Sequence, residues 1–388
     1  MRTLIIIFGL MVIFGVLLDA FETIVLPRRV QRHFRLTAWF YRRTWRPWRW
    51  LASHIKPVSR RENFLGYFGP LSLIFLLALW ALGLIFGFAL LQYGFGKNVQ
   101  LAGEHISFWT LLYLSGETFF TLGLGDVLPT GTSARALTVL EGGMGFAFLG
   151  VVIGYLPTIY SSFSRREIEI SLLDARAGSP PTAAELLARL GNCPEQTVLD
   201  QIFKDWERWA AEVLESHLSY PALSFFRSQH NNQSWLGALT TILDATALVI
   251  SGIDGIRSEQ AKITFAMARH AMVDLAQVVN ARYDPRQLDR LPAQELTRLK
   301  ETLAKRGIRL NDTPESEKKL RHLRSLYEAY ALGIARNLLI TLPPWIQSEK
   351  KKDNWQSGPW DKAIQATDPD THPLSESVQL GVHVEDHF

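Results

Sequence analysis

The chain has 388 residues, of which 47% are hydrophobic and 20% are charged, and its formal net charge is +4. This length accommodates a membrane unit and one soluble domain, and the long apolar runs fall almost entirely before Ser164. The single cysteine, Cys193, excludes an intrachain disulfide framework and a cysteine metal cluster. The basic residues cluster beside apolar segments, which indicates a membrane surface and argues against nucleic acid as a partner.

The N-terminal segment 1–27 contains the apolar run TLIIIFGLMVIFGVLL, Thr3 to Leu18, and is predicted to be a transmembrane helix. A cleaved signal peptide is the alternative, but the first residues carry one arginine and no small-x-small cleavage site follows the run. Asp19 and Glu22 lie three apart and share a helix face. We expect them to pair with nearby arginines at the membrane interface.

Segment 28–64 is basic and aromatic, with eleven Arg or Lys and no Asp or Glu between residues 28 and 61. Three of its arginines lie three apart, a spacing that resembles a voltage sensor, but Pro47 interrupts them and no uncharged run surrounds them. We therefore expect an amphipathic stretch on the inner leaflet, with the basic residues of 28–61 bound to anionic membrane lipids.

Two longer apolar runs follow. Residues 65–94 carry no charge and predict an outer transmembrane helix with length to spare for tilt. Residues 136–163 are interrupted by one charge, Glu141, and predict an inner helix that is rich in glycine and contains Pro157. We expect Glu141 to face either the outer helix or the periphery of a pore.

Positive charge predicts the orientation of these helices. The basic stretch 28–61 precedes the outer helix, and Arg165 and Arg166 directly follow the inner helix. Because short loops rich in Lys and Arg stay in the cytoplasm, both flanks are expected there. The N-terminus and segment 95–132 are then expected outside the cell, in a multi-pass protein of the cell membrane.

Residues 164–347 have the composition of a soluble protein and predict a helical cytoplasmic domain. Thr182 is the predicted N-cap of its first helix, with Glu185 three residues later, and Gly191 ends that helix. Further helices are expected near 195–218, 258–281, 293–306 and 314–341.

The run from Ser234 to Ile253 has a single charge, Asp244, and has two interpretations. It is either a buried helix of the soluble bundle or a fourth span. We favour the buried helix, because a fourth span would carry the C-terminus outside with no basic marker before it. The polar tail 348–388 is predicted to be disordered.

The cytoplasmic domain shows no catalytic signature, since the HExxH, GxSxG, Walker A and protein-kinase motifs are all missing from the sequence. An enzyme or receptor domain on a membrane anchor is the competing class of function, and this lack disfavours an enzyme. We expect no enzymatic activity and no cofactor. Nothing in the sequence indicates the ligand or stimulus that regulates the protein.

The stretch SGETFFTLGLGD, Ser115 to Asp126, lies between the two long apolar runs. Residues 107–119 predict a helix of roughly 18 Å, too short to cross a bilayer and long enough to enter it halfway. Gly123 and Gly125 can adopt positive φ, so that successive carbonyl groups point the same way. Such carbonyls, together with the Thr121 hydroxyl, can replace the water shell of a monovalent cation.

This stretch resembles the pore loop of the potassium-channel superfamily, whose filter sequence is TVGYG. The resemblance covers residues 65–163 and implies an outer helix, a pore helix 107–119, a selectivity filter 121–126 and an inner helix. It aligns Thr121, Gly123, Gly125 and Asp126 with the filter threonine, the two glycines and the outer aspartate. It also implies K⁺ sites at the backbone of Thr121, Leu122, Gly123 and Leu124, and a filter built by four chains.

The resemblance also implies residues that support the filter. Glu117 and Thr118 stand behind it, and an interaction of Glu117 with Asp126 is implied, with a shared proton as one form of it. Gly143, Gly145 and Gly150 are candidate hinges of the inner helix, although tight packing of small residues is the alternative interpretation for them.

Three positions depart from the family pattern: Leu124 replaces the filter tyrosine, Leu122 the valine, and Phe120 the preceding threonine. Leucine at the tyrosine position also resembles the second pore loop of animal two-pore-domain potassium channels, so it does not exclude potassium selectivity. It does remove a hydroxyl that usually ties the filter to the pore helix.

The sequence therefore predicts an all-α membrane protein with a potassium-channel-like pore module, one extra N-terminal transmembrane helix and a C-terminal helical cytoplasmic domain. The expected function is a homotetrameric potassium-selective channel that the cytoplasmic domain regulates, with potassium as its permeating ion. The alternatives are a weakly selective monovalent cation channel and a membrane-anchored sensor or structural subunit without conduction.

Overall fold

The computed structural model describes residues 1–26, 35–96, 99–101, 106–190, 196–284, 289–347, 353–356, 358 and 360. The predictions for residues 28–34, for Gly191 and Cys193, and for most of the tail 348–388 lie outside this description. The chain forms two compact units. Unit 1 contains Met1–Phe163 with Ser216–Arg227, and unit 2 contains Ser164–Glu215 with Ser228–Phe388.

Unit 1 is built from long helices and one short two-stranded sheet. Its elements are α1 (Arg2–Ile24), α2 (Leu36–Ser53), α3 (Val58–Gly66), α4 (Phe68–Phe95), β1 (Val99–Leu101), α5 (Phe108–Phe119), β2 (Val127–Pro129), the first part of α6 (Thr132–Ala177), and a 3₁₀ turn (Pro221–Phe225). The strands are antiparallel, with Val99 opposite Pro129 and Leu101 opposite Val127.

Three glycines of α4 allow α1 to approach closely. A Cβ atom at Gly87 would lie 2.5 Å from Ile13 Cγ1, and one at Gly83 would lie 2.8 Å from Val16. A Cβ atom at Gly94 would lie 2.5 Å from Ile6. Small residues four or seven apart on one helix face are a common basis of helix packing in membranes. The extra N-terminal helix therefore packs on the outer helix along most of its length.

The polar end of α1 binds α2. Asp19 Oδ2 accepts hydrogen bonds from Thr37 Oγ1 at 2.6 Å and from the Trp80 indole at 3.0 Å, and the Thr37 amide donates to the same carboxylate at 3.1 Å. Glu22 pairs with Arg35 at 3.7 Å, as expected for the interface, whereas Asp19 is fully buried. Because Thr37 lies in the first turn of α2, Asp19 caps that helix from a different element.

Helix α2 continues through Pro47, which the sequence predicted to interrupt the arginines. Proline removes one helical hydrogen bond and crowds the preceding turn, at a cost of about 3 kcal/mol. Aromatic packing on both sides of Pro47 offsets this cost. Trp45 lies against Phe68 with ring centroids 4.8 Å apart, and Trp48 stacks on Phe64 at 4.5 Å.

The inner helix is longer than the predicted 136–163. Helix α6 runs from Thr132 to Ala177, through Pro157 and past the basic pair Arg165 and Arg166. The change from apolar to charged residues after Phe163 was interpreted as the end of the helix, but Glu, Arg and Leu are all good helix formers. The composition changes at that point while the helix continues.

Unit 2 is a helical bundle with α9 at its centre. Besides the end of α6 it contains α7 (Ala183–Leu190), most of α8 (Gln196–Ser219), α9 (Trp235–Gly252), α10 (Glu259–Val278), α11 (Ala293–Lys305), α12 (Pro314–Ser325) and α13 (Glu328–Leu338). Thr182 caps α7 as predicted, accepting from the Glu185 amide at 3.2 Å. The predicted helix 314–341 is broken at Tyr327, which is fully buried and whose hydroxyl donates to Asp244.

Four helices are long and apolar enough to cross a membrane, namely α1, α3 with α4, α6 and α9. Their burial separates them: the most apolar window of α9 is 94% buried, against 17% for α1 and 11% for α6. A helix with apolar surface on all sides must face lipid or a protein core. The surroundings of α9 thus favour the core helix over the fourth span.

A buried ion-pair network fixes α9 in unit 2. Asp244 binds Arg290 through two hydrogen bonds of 2.7 and 3.2 Å, and Arg290 also donates to the Pro343 carbonyl at 2.8 Å. Arg324 binds Glu328 at 3.0 Å on the neighbouring helices. Since each charge has a partner, the network meets the condition under which buried charges are tolerated.

Part of the predicted disordered tail is bound to unit 2. Residues Asn354–Gln356 form a 3₁₀ turn, and Asp353 accepts from Arg189 at 2.7 Å and from the Ser179 amide at 3.2 Å. The polar composition of the tail, with its Pro, Asp and Ser residues, suggested disorder. Specific hydrogen bonds hold it instead, which composition does not reveal.

Candidate functional site

The short helix α5 precedes the glycine-rich stretch. Its N-cap is Ser107, whose hydroxyl accepts from the Thr110 amide at 3.2 Å, while the Thr110 hydroxyl accepts from the Ser107 amide at 3.2 Å. This reciprocal capping satisfies two free amides of the first turn. The helix ends at Phe119, so its bounds lie within one residue of the predicted 107–119.

The backbone alternates in conformation after α5. Thr121, Gly123 and Gly125 have φ values of +54°, +65° and +78°, and the intervening Leu122 and Leu124 have negative φ. When left-handed and right-handed residues alternate, successive peptide groups face the same side of the chain. The stretch 121–125 can therefore line an axis with its carbonyl oxygens, as a backbone-carbonyl filter requires.

Thr121 adopts the left-handed region that the sequence led us to expect only for the two glycines. A β-branched residue with positive φ is strained and rare. Two hydrogen bonds from the end of α5 hold it there. The Thr121 amide donates to the Thr118 carbonyl at 3.1 Å, and the Leu122 amide donates to the Glu117 carbonyl at 2.9 Å. The predicted support residues thus act through their backbone.

The side chain of Glu117 also supports this stretch. It is buried, and its Oε1 accepts from the Gly125 amide at 3.1 Å. The implied interaction between Glu117 and Asp126 is not formed. Asp126 Oδ1 instead accepts from the Val127 amide at 3.1 Å and from the Tyr113 hydroxyl at 3.3 Å. Each carboxylate has a donor of its own, and two like charges side by side are unfavourable.

Tyr113 is a residue of the site that the sequence analysis missed. It places a hydroxyl on the pore helix, whereas the family pattern has one at the position of Leu124. The resulting link to Asp126 joins the helix to the end of the glycine-rich stretch. The signal was the spacing of four between Tyr113 and Glu117, which puts both side chains on one face of α5.

A buried contact joins the outer, pore and inner helices of unit 1. The Ser115 hydroxyl lies 2.7 Å from the Ile85 carbonyl and also contacts Glu141 Oε1. Ser115 and Glu141 are almost fully buried. The structure therefore places Glu141 against the pore helix. Ionisable residues at membrane depth are rare and are usually paired and functional.

The three candidate hinge glycines differ in their surroundings. A Cβ atom at Gly145 would lie 2.0 Å from the Phe119 carbonyl oxygen, at the end of α5. Gly143 and Gly150 have nothing within 4 Å of such an atom. Helix α6 is continuous at all three positions. Gly145 therefore serves close packing between the inner and pore helices.

The strands β1 and β2 fix both ends of the loop. Val99 and Val127, which precede and follow it, pack with Leu111 and Leu114 of α5 in one buried apolar cluster. Large apolar side chains outside that cluster remain exposed on the pore and inner helices. Trp109, Val139 and Phe146 are 74%, 75% and 73% exposed.

Comparison with known proteins supports this architecture. Residues 74–161 match the family model described as "Ion channel". These residues form an ion-channel pore module. The match runs from α4 through α5 and the glycine-rich stretch into α6, so the resemblance to pore-loop channels and the all-α membrane fold predicted from the sequence are confirmed.

The chain is also similar to a bacterial membrane protein. The chain is 22% identical over 208 residues to the uncharacterized membrane protein YdjJ of Bacillus subtilis, which covers 53% of this chain and 60% of the relative. The chain thus spans less than two thirds of that relative's length. No solved structure matches. The chain is a membrane protein with an ion-channel pore module.

Proposed function

We propose that the chain is one subunit of a homotetrameric potassium-selective channel of the cell membrane, which conducts through TLGLGD. The alternating φ at Thr121, Gly123 and Gly125 carries this proposal. Rings of carbonyl oxygen from Thr121, Leu122, Gly123 and Leu124 would replace the hydration shell of K⁺. The hydrogen bond from the Gly125 amide to Glu117 supports the end of this stretch from behind.

Four copies are proposed because one chain supplies one strand of a filter. A ring of carbonyls requires identical strands around a closed rotation axis. The exposed apolar side chains of the pore module support this assembly, because neighbouring copies of the chain would cover them. Trp109 and Phe146 are two of them.

A weakly selective monovalent cation channel is the second candidate. It is favoured by Leu124, which offers no hydroxyl to the pore helix, and by the exposure of the substitute link from Tyr113 to Asp126. A loosely held filter adjusts its diameter to the ion and discriminates less between K⁺ and Na⁺. The ratio of potassium to sodium flux decides between the two candidates.

The orientation proposed for the channel follows from charge. The N-terminus lies outside, and unit 2 lies in the cytoplasm, since the basic flanks of α4 and α6 are expected to remain there.

Regulation through the cytoplasmic domain is supported by segment 216–227. This segment belongs to unit 1, although the chain before and after it belongs to unit 2. The ring of Phe225 stacks on Tyr41 with centroids 5.3 Å apart and lies 5.1 Å from Phe68 at the start of the outer helix. Arg227 pairs with the carboxylate of Glu62 at 3.2 Å.

The next residue of the segment reaches the inner helix. The ring of Phe226 lies 5.5 Å from Phe163 on α6, and a Cβ atom at Gly69 on α4 would lie 2.7 Å from it. Phe226 thus lies between the outer and inner helices at the end where the cytoplasmic domain begins. Unit 2 is covalently joined to both ends of this segment, so its movement would act on that spacing.

A flux assay on purified protein in liposomes tests the conduction proposal. Gly123→Ala forces an L-residue into a left-handed conformation, and we expect it to abolish or strongly reduce potassium-selective flux. Gly15→Ala makes the same chemical change in α1, where the added methyl group has nothing within 4 Å, and should leave flux unchanged. Equal potassium and sodium flux would favour the weakly selective channel. No flux under any condition would favour the non-conducting sensor.

Single-channel recording tests the regulatory part. Phe226→Ala removes the ring between α4 and α6, and we expect it to change the open probability while conductance and selectivity stay constant. Phe75→Ala removes an exposed ring of α4 and serves as the control. An unchanged open probability in Phe226→Ala would contradict a role of this segment in opening.

A further inference from the structure

The free face of α2 is a second candidate site, separate from the ion path. Trp39, Arg42, Arg43, Arg46 and Trp50 are exposed and lie three or four residues apart, which puts them on one stripe of the helix. No acidic residue occurs in α2. Among the described residues, no carboxylate lies within salt-bridge distance of these three arginines, and Arg42 Nε donates to the Ala38 carbonyl at 3.2 Å in its own helix.

The stripe is rigidly presented because the opposite face of α2 is buried. Phe40, Tyr41 and Trp45 pack inward, and the ring of Tyr41 lies on Phe225. Asp19 fixes the first turn of the helix through Thr37. The arginines cannot turn inward to find partners without breaking these contacts, so their charge stays directed outward.

The position of the stripe indicates whether it contacts water, lipid headgroups or lipid tails. The first turn of α2 lies beside Asp19, five residues before the end of the apolar helix α1, and beside Trp80 of the charge-free helix α4. Asp19 directly follows the apolar run from Thr3 to Leu18, so this turn lies where α1 changes from apolar to polar. Tryptophan is enriched at the polar ends of membrane spans, and arginine forks match phosphate geometry.

We infer that the stripe Trp39, Arg42, Arg43 and Arg46 binds the headgroup phosphate of anionic phospholipids in the adjoining leaflet. Charge complementarity favours an anion, and the exposed Trp39 beside the polar end of α1 favours a lipid over a soluble acidic partner. The inference goes beyond conduction and does not require it. Bound lipid would fix α2, and with it the face that receives Phe225.

Lipid titration of the full-length protein in a neutral detergent tests this inference. Dioctanoyl phosphatidylglycerol is the probe, dioctanoyl phosphatidylcholine is the uncharged lipid control, and inorganic phosphate is the soluble anion control. Calorimetry gives the affinity. The variant R42Q/R43Q/R46Q should bind phosphatidylglycerol on the order of 100-fold more weakly, at about fivefold for each arginine.

Two further variants keep the result interpretable. K318Q/K319Q/R321Q removes the same charge from exposed positions of α12 and should change affinity less than twofold. R42K/R43K/R46K keeps the charge and should retain most of the binding, which would exclude misfolding as the cause of a loss.

Equal binding of both lipids, equal loss in the α2 and α12 variants, or competition by inorganic phosphate at matched concentration would overturn the inference. Because the titration does not depend on ion flux, its failure is distinct from a failure of the channel proposal. If the protein binds phosphatidylglycerol selectively but conducts no ions, the lipid-binding inference stands and the channel proposal is wrong.

Discussion

The contact between Gly145 and the end of the pore helix makes a sharp prediction for Gly145→Ala. The added methyl group would lie 2.0 Å from the Phe119 carbonyl oxygen and 2.8 Å from its carbon. Unstrained contacts between carbon and carbonyl oxygen are about 3.3 Å or longer, so the two helices must separate by roughly 1.3 Å. The obstacle is backbone, and no rotamer change can remove it.

The expected magnitude follows from two opposing effects. Overpacking of this kind costs about 1–3 kcal/mol, whereas replacing glycine by alanine inside a helix gains about 1 kcal/mol at most. Because the obstacle is backbone, we take the upper end of that cost and expect a net loss of about 2 kcal/mol in Gly145→Ala. Phe119 lies two residues before Thr121, so the displacement should also reach the proposed filter. Potassium selectivity should fall together with stability.

Gly143→Ala is the matched control, because a Cβ atom at Gly143 has nothing within 4 Å. Thermal unfolding of the full-length protein in detergent and the potassium-to-sodium flux ratio in liposomes are the two measurements. Gly143→Ala should match or slightly exceed the stability of the parent. If alanine at Gly145 leaves both measurements unchanged, or if the two variants behave alike, then packing is not the role of Gly145 and the hinge interpretation gains support.

Three further predictions concern single contacts. Glu141→Leu and Ser115→Ala should each lower the thermal unfolding midpoint, and the double variant should show a coupling of about 0.5–2 kcal/mol; additive effects would contradict a direct hydrogen bond. Asp244→Ala leaves its buried guanidinium partner unpaired and should cost about 3–5 kcal/mol, measured by the same thermal unfolding. Burial tends to raise the pKa of Asp289, but hydrogen bonds from Arg324 and the following backbone outweigh it and lower that pKa. A lowered carboxyl pKa stabilises the fold at pH values above the pKa of the unfolded state, about 3.9. The parent should therefore be more stable than Asp289→Asn at neutral pH. This difference should shrink as the pH falls below about 4 and vanish below the lowered pKa of the folded state.

The pore module was predictable because its signals are local. A short apolar helix is followed by the glycine-rich stretch, and both lie between two long apolar runs. Few membrane-protein folds other than a re-entrant loop accommodate this pattern. The bounds of α5 followed from the length of its apolar run, and the resemblance implied that Glu117 supports the glycine-rich stretch. The family match over residues 74–161 bears out the resemblance to pore-loop channels.

Features that depend on packing were not predictable. The positive φ of Thr121 contradicts the intrinsic preference of threonine. It is held by two hydrogen bonds, from the Thr121 amide to the Thr118 carbonyl and from the Leu122 amide to the Glu117 carbonyl. The passage of α2 through Pro47 depends on aromatic partners that are distant in sequence. The same holds for the stacking of Phe225 on Tyr41, because these two residues are far apart in sequence. Propensity describes a residue alone, while these outcomes depend on neighbours that only the fold supplies.

The glycine-lined contact between α1 and α4 has a consequence for biogenesis. Helix α1 precedes α4 in the chain, so the outer helix would find α1 already inserted when it emerges from the translocon. One side of the outer helix would then already be covered by α1 when each subunit assembles with the other copies. Changes in bilayer thickness or lateral tension would act first on α1, and α1 would transmit them to the helices nearer the ion path.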